Sequence, residues 1–122
     1  MGSILNSIKK NLGIDCDYIA FDPDIIMCIN AVFGTLHQLG VGPAEGFRIE
    51  SEREDWSDYL TYGKEINEVK TYIYLRTRLL FDPPDRGAVL TSFQDQIREL
   101  EWRIVVKVDE LKTEWEEAQN GE

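Results

Sequence analysis

The side chains able to do chemistry in this chain are few: one histidine, two cysteines and an excess of carboxylates. A Ser-His-Asp or Cys-His nucleophilic site would have to use His37. It stands between Thr35 and Gln38 on the polar side of an apolar stretch, and no spacing sets a nucleophile beside it, so it reads as a surface or interface residue. Cys16 and Cys28 form no CxxC and have no histidine cluster nearby. They read as two reduced thiols, Cys28 as a small hydrophobe inside an apolar helix. There is no HExxH and no EF-hand loop to hold a metal. Gly40, Gly42 and Gly46 lack GxGxxG spacing and no Lys-Ser/Thr pair follows them, so they read as a helix stop and turns rather than a phosphate cradle. Paired carboxylates occur by chance on an acidic chain, and a glycosidase-like dyad also needs a partly dry cleft. The expectation is a non-enzyme with no cofactor and no metal.

Charge narrows the partners. The formal net charge is −10, which argues against gripping nucleic acid by counterion release through clustered Lys and Arg. From Asp109 to Glu122 there are six acids and one base, so half of that net charge sits in the last fourteen residues, an expected solvated acidic tail. Three tryptophans, Trp56, Trp102 and Trp115, each lie in or beside a charged stretch. Core packing is the default for Trp56 and Trp102. Trp115, inside the acidic tail, is expected at an interface, where Trp is enriched.

The elements that must position these residues are helical. A length of 122 residues suits one domain with a modest core, so partners can contribute to its stability. No apolar run approaches the roughly 20 residues of a membrane span. The start, MGSILNSIKKN, places its lysines after the short apolar segment and does not read as a signal peptide. Ile4, Leu5, Ile8 and Leu12 share a face, with Ser3 to cap that helix and Gly13 to end it. Lys9 and Lys10 in its last turn suit the helix dipole. After a connector over 15–21, Asp22 reads as an N-cap with Pro23 at the first helical position and Phe21 stapled onto Ile26. Ile25, Ile29, Val32, Leu36 and Leu39 form the main stripe, which ends at Gly40.

A long irregular loop is expected over 41–63, with Phe47–Ile49 as a short strand and a single helical turn near Trp56, Tyr59 and Leu60. The third long helix spans about 65–81, in the run VKTYIYLRTRLLFDPP. Ile66, Val69, Ile73 and Leu80 turn inward, and Pro83 and Pro84 stop it. The last helix begins near Pro84, with Leu90, Phe93, Ile97, Leu100 and Ile104 on one face. The spacing continues through Val108, Leu111 and Trp115, which favours one helix to about residue 117 despite the β-branched run Ile104, Val105, Val106, Val108. The fold class is all-α: a bundle of about four helices over 1–104, with an acidic, partly helical extension over 105–122.

Several segments, in order, resemble the head-tail connector (adaptor, or neck) proteins of tailed bacteriophages. They are the opening helix, Phe21-Asp22-Pro23-Asp24-Ile25, Asn30, Gln38-Leu39-Gly40-Val41-Gly42-Pro43, Gly46-Phe47, Trp56, the block from Val69 to Pro84, and Glu101-Trp102-Arg103. The chain departs from the pattern at Arg86-Gly87, where similar proteins carry small polar residues, and its acidic segment after Ile104 is longer. The resemblance implies a non-enzymatic virion protein, assembled in the bacterial host cytoplasm. It further implies a ring of identical copies, typically twelve, beneath the portal protein. That ring extends the DNA channel without binding DNA specifically and receives a stopper or tail completion protein.

On this reading Trp102, Ile104, Val108, Leu111 and Trp115 are candidates for the portal contact. Tyr72, Tyr74, Arg76, Arg78, Phe47 and Trp56 are candidates for contacts between ring protomers. The competing class is a small acidic regulator that mimics DNA and blocks a nucleic-acid enzyme. Charge and size suit it, but it does not account for the aromatic third helix or the ordered turn motifs.

Overall fold

The computed structural model describes residues 2–60 and 66–120, and the fold is all-α. Its helices are α1 (Ile4–Asn11), α2 (Asp22–Gln38), α3 (Trp56–Tyr59), α4 (Ile66–Phe81) and α5 (Gly87–Asn120). α4 is the central element, with α1, α2 and α5 all packed on it. Ile4, Leu5 and Ile8 of α1, Ile25, Ile29, Val32 and Leu36 of α2, and Val69, Tyr72, Ile73 and Leu75 of α4 are buried, as are Ile97 and Ile104 of α5. The three- and four-residue spacings of the sequence therefore become one shared core.

Local chemistry fixes the helix ends. Ser3 Oγ accepts from Asn6 N at 3.2 Å at the start of α1. Lys9, in the last turn of α1, is fully buried. Its ammonium donates to the Cys16 and Tyr18 carbonyls at 3.1 and 2.9 Å and pairs with Asp22 at 2.8 Å. It thereby holds the 12–21 connector against the start of α2. α2 begins one residue earlier than expected, with Phe21 as the N-cap and Pro23 inside the first turn, where its missing N–H costs no helical bond. The Phe21 ring packs against Tyr18 and Phe81, with centroids 5.6 and 5.5 Å apart.

The expected strand at 47–49 does not form. Ile49 is fully buried but has no neighbouring strand; its backbone is satisfied by a side chain instead. Asn30 Nδ2 donates to the Ile49 carbonyl at 2.9 Å, and Asn30 Oδ1 accepts from Ile49 N at 2.8 Å. One amide thus replaces a strand rung and pins the loop to α2. The expected turn near Trp56 is α3, opened by an Asp55–Asp58 capping box. A single antiparallel bridge joins Ser3 and Asp55, with Ile4 N donating to Glu54 O at 3.0 Å and Trp56 N to Gly2 O at 3.2 Å. Phe33, Phe47 and Tyr59 form an aromatic cluster with centroids 4.5–5.2 Å apart. Gly42 makes room for it: φ is +87°, and a Cβ there would lie 2.6 Å from Tyr59 Cε1.

α5 starts at Gly87, three residues later than expected, because residues 82–86 are needed to reverse the chain between two antiparallel helices. It then runs unbroken for 34 residues, about 51 Å. The β-branched segment stays helical because tertiary packing outweighs its propensity: Ile104 is buried, and Val108 reaches the end of α2, its Cγ1 3.0 Å from where a Cβ on Gly40 would sit. The 104/105 boundary expected from composition lies inside this helix. Leu80 was expected inward but is 54% exposed. It lies at an edge of the bundle, bordering one groove between α2 and α4 and another between α4 and α5.

Candidate functional site

The residues that could do chemistry are dispersed. His37 is exposed, and its Nε2 lies 2.9 Å from the Ala44 carbonyl, so that ring nitrogen donates to a backbone acceptor rather than serving a nucleophile. Cys16 is exposed and Cys28 half-buried, both as free thiols. The Asp17 carboxylate raises the Cys16 pKa, with desolvation adding to it, and burial raises that of Cys28; both shifts oppose a reactive thiolate. Asp15, Cys16 and Asp17 place ligand-type atoms within 4.8 Å of one another, all on the exposed connector.

The six residues expected between protomers also make contacts inside one protomer. Trp56 and Tyr72 are buried. The Trp56 indole donates to Ser7 Oγ at 3.1 Å beneath the Lys70 ammonium, 5.0 Å from the ring centroid. Tyr72 OH donates to Glu101 Oε2 at 2.7 Å and accepts from Arg76 at 3.1 Å, and the Arg76 guanidinium stands 3.7 Å from Glu101. Burial first, then the bond to Glu101, pushes the Tyr72 pKa up and keeps the phenol protonated. Arg78 donates to Tyr74 OH at 3.3 Å and the Asp82 carbonyl at 3.2 Å, and lies over the Phe93 ring at 5.6 Å. Lys107 pairs with Glu68 at 2.6 Å. These contacts make a polar seam joining α4 to α5. Phe47 is half-buried in the aromatic cluster. For Tyr72, Arg76 and Arg78 the physical reason is shared: α5 lies along the face of α4 that carries them.

Among the residues expected to meet the portal, Ile104 is buried, Val108 is half-buried, and the side chains of Leu111 and Trp115 lie outside the described residues. Trp102, expected in the core by default and also a candidate for the portal contact, is 68% exposed. At 100° per residue it stands about 140–160° round α5 from Ile97 and Ile104. Asp109, Glu110, Glu117 and Ala118 are exposed along the last turns of the helix.

The surface that sequence reasoning missed is apolar. Tyr18, Ile19, Phe21, Met27 and Leu80 are all exposed. Phe21, Met27 and Leu80 line a groove of about 640 Å³ together with Leu12, Ile14, Cys28 and Phe81, and with the carboxylates of Asp24 and Asp82. One signal was available: Met27 lies off the main stripe of α2, and Tyr18 and Ile19 are large apolar residues in a connector without periodicity.

The described residues form an all-α bundle around a central helix, with exposed apolar surface beside α2 and on α5. No described helix is long and apolar enough to cross a membrane. The family model for phage connector proteins matches residues 4–111, from the start of α1 to just past Val108, and the chain belongs to that family. Membership implies a non-enzymatic role in the phage particle rather than regulation of a nucleic-acid enzyme. No curated protein and no solved structure matches the chain.

Proposed function

We propose that this chain is the head-tail connector of a tailed phage, present in the virion as a ring of identical copies, typically twelve, beneath the portal protein. The observation that carries this reading is the family match across nearly all of the helical bundle. In such a ring the DNA channel passes through the centre without sequence-specific contact, and a stopper or tail completion protein binds the far side. The net charge of −10 suits a conduit that must not hold DNA, provided carboxylates line the lumen. The stretch of α5 beyond Val108, acidic and carrying Leu111 and Trp115, is the segment assigned to the portal.

The test is made on the phage that encodes the chain. Purified virions should contain it, and gold-labelled antibody should mark the neck by electron microscopy. Its absence from virions would overturn the reading. A chain truncated after Val108 should fold but fail to capture portal protein; capture at full affinity would refute the assignment of the extension, and a lumen lined mainly by Arg and Lys would refute the charge argument.

A further inference from the structure

Among the described residues, two apolar features stay largely exposed. One is the indole of Trp102, with Val105 three residues on along the outer side of α5; they are 68% and 36% exposed. The other is the α2–α4 groove, whose floor includes Phe21, Met27 and Leu80. Their charges are opposite. Arg98 stands one turn before Trp102, and Arg103 follows it directly. Both arginines are exposed and pair with Asp95 and Glu99 of their own helix at 2.6 Å. Such exposed pairs are weak, so they exchange partners readily. The charged residues lining the groove are Asp24 and Asp82, with no lysine or arginine among the lining side chains. Asp15 and Asp17 flank Tyr18 on the adjoining connector, also exposed.

We propose that Trp102 of one copy seats in the Phe21–Met27–Leu80 groove of the next copy, with Arg98 and Arg103 facing Asp24 and Asp82. The inference rests on the ring reading above and names the contact that would build it. A groove of about 640 Å³ accepts an aromatic side chain with its neighbour. A desolvated Trp ringed by charge pairs is the usual form of an interface hot spot. Where the knob and the groove of one copy engage two different copies, the contact is heterologous, which is the connectivity of a closed ring. This assigns Trp102 to the neighbouring copy and leaves the portal to the helix beyond Val108.

The experiment uses two variants of the full chain in sedimentation velocity, from micromolar to millimolar concentration. Trp102→Ala removes the knob and leaves the groove; Met27→Glu spoils the groove and leaves the knob. Both positions are 68% exposed, so the circular dichroism and urea midpoint of each variant should match wild type. Wild type should self-associate, and each variant alone should do so about tenfold more weakly or worse. Mixed together, the two variants should form a 1:1 heterodimer that grows no further, because one intact knob meets one intact groove. Asp24→Lys combined with Arg98→Glu should restore part of the association that either change alone removes. The proposal is overturned by wild type that is monomeric throughout, by single variants that associate like wild type, or by a mixture that stays monomeric. None of these bears on whether the chain is found at the neck of virions, which judges the connector reading separately.

Discussion

Asn30 offers the most direct check on how the loop is held. Its side-chain amide makes two hydrogen bonds to one residue, donating to the Ile49 carbonyl at 2.9 Å and accepting from the Ile49 N–H at 2.8 Å. Ile49 is fully buried, so neither backbone group has water as an alternative. Asn30→Ala removes both bonds and leaves both groups unpaired, a loss of about 2–4 kcal/mol once partial access of water to the half-buried Asn30 position is allowed for. With a urea dependence of about 1.5–2 kcal/mol/M for a chain of this size, the midpoint should fall by about 1–2 M. Asn30→Asp separates the two bonds. The carboxylate still accepts from the N–H but faces the carbonyl with no donor; once protonated, it can donate again. The folded state therefore binds that proton more tightly than the unfolded chain, and the carboxyl pKa is raised on folding. A raised folded pKa favours the folded form at low pH, and that advantage is lost as pH rises through it. Relative to wild type at each pH, Asn30→Asp should be most destabilised at neutral pH and should recover as pH falls toward the ordinary carboxylate value of about 3.9. Urea unfolding followed by tryptophan fluorescence and circular dichroism measures this. Variants within about 0.5 kcal/mol of wild type at neutral pH, or an Asn30→Asp deficit that is flat with pH, would refute the reasoning.

Gly42→Ala should cost about 2–4 kcal/mol, from positive φ plus the clash with Tyr59, whereas Gly13→Ala, also at positive φ but with nothing within 4 Å, should cost only about 1–2; equal urea midpoints for the two would remove the steric argument. Lys9→Met keeps the shape but deletes the ion pair and two carbonyl bonds, and should cost about 2–4 kcal/mol while speeding amide exchange across 12–21, read by mass spectrometry. The Glu68 pKa is lowered, chiefly by its hydrogen bond from Lys107, and that of Asp55 by the Ser57 N–H. A depressed folded pKa gives stability that is present above the unfolded value and lost as pH falls through the folded one, so the urea midpoint should drop below about pH 5, and Glu68→Gln should make that drop shallower. Removing residues 109–122 should leave the urea midpoint close to wild type, since Val108 is the last described α5 side chain shown to pack on the core; a large drop would show that the extension is part of the fold.

Local pattern alone determined much of this protein. The apolar spacings located the four long helices, Ser3 and Pro23 marked helix starts, and the double proline marked the end of α4, because backbone geometry and side-chain period act within a few residues. The stripe through Ile97, Leu100, Ile104 and Val108 carried α5 across its β-branched segment, and the ordered motifs carried the connector family. What the sequence could not decide is which chemically ambiguous side chains the fold consumes. Lys9 looks like a surface cation and is a buried clamp; Tyr72 and Arg76 look available and are held by Glu101, 29 and 25 positions further along the chain. Ile49 looks like strand and is held by Asn30, while Leu80 and Trp102 look like core and face outward. Tyr72, Arg76 and Ile49 are decided by partners 19 to 29 positions away, and lysine, tyrosine and tryptophan have both an apolar body and a polar end, so composition fits either environment. The packing of α5 along α4, and the groove left uncovered beside α2, separate apolar side chains that are buried within the protomer from those that stay exposed.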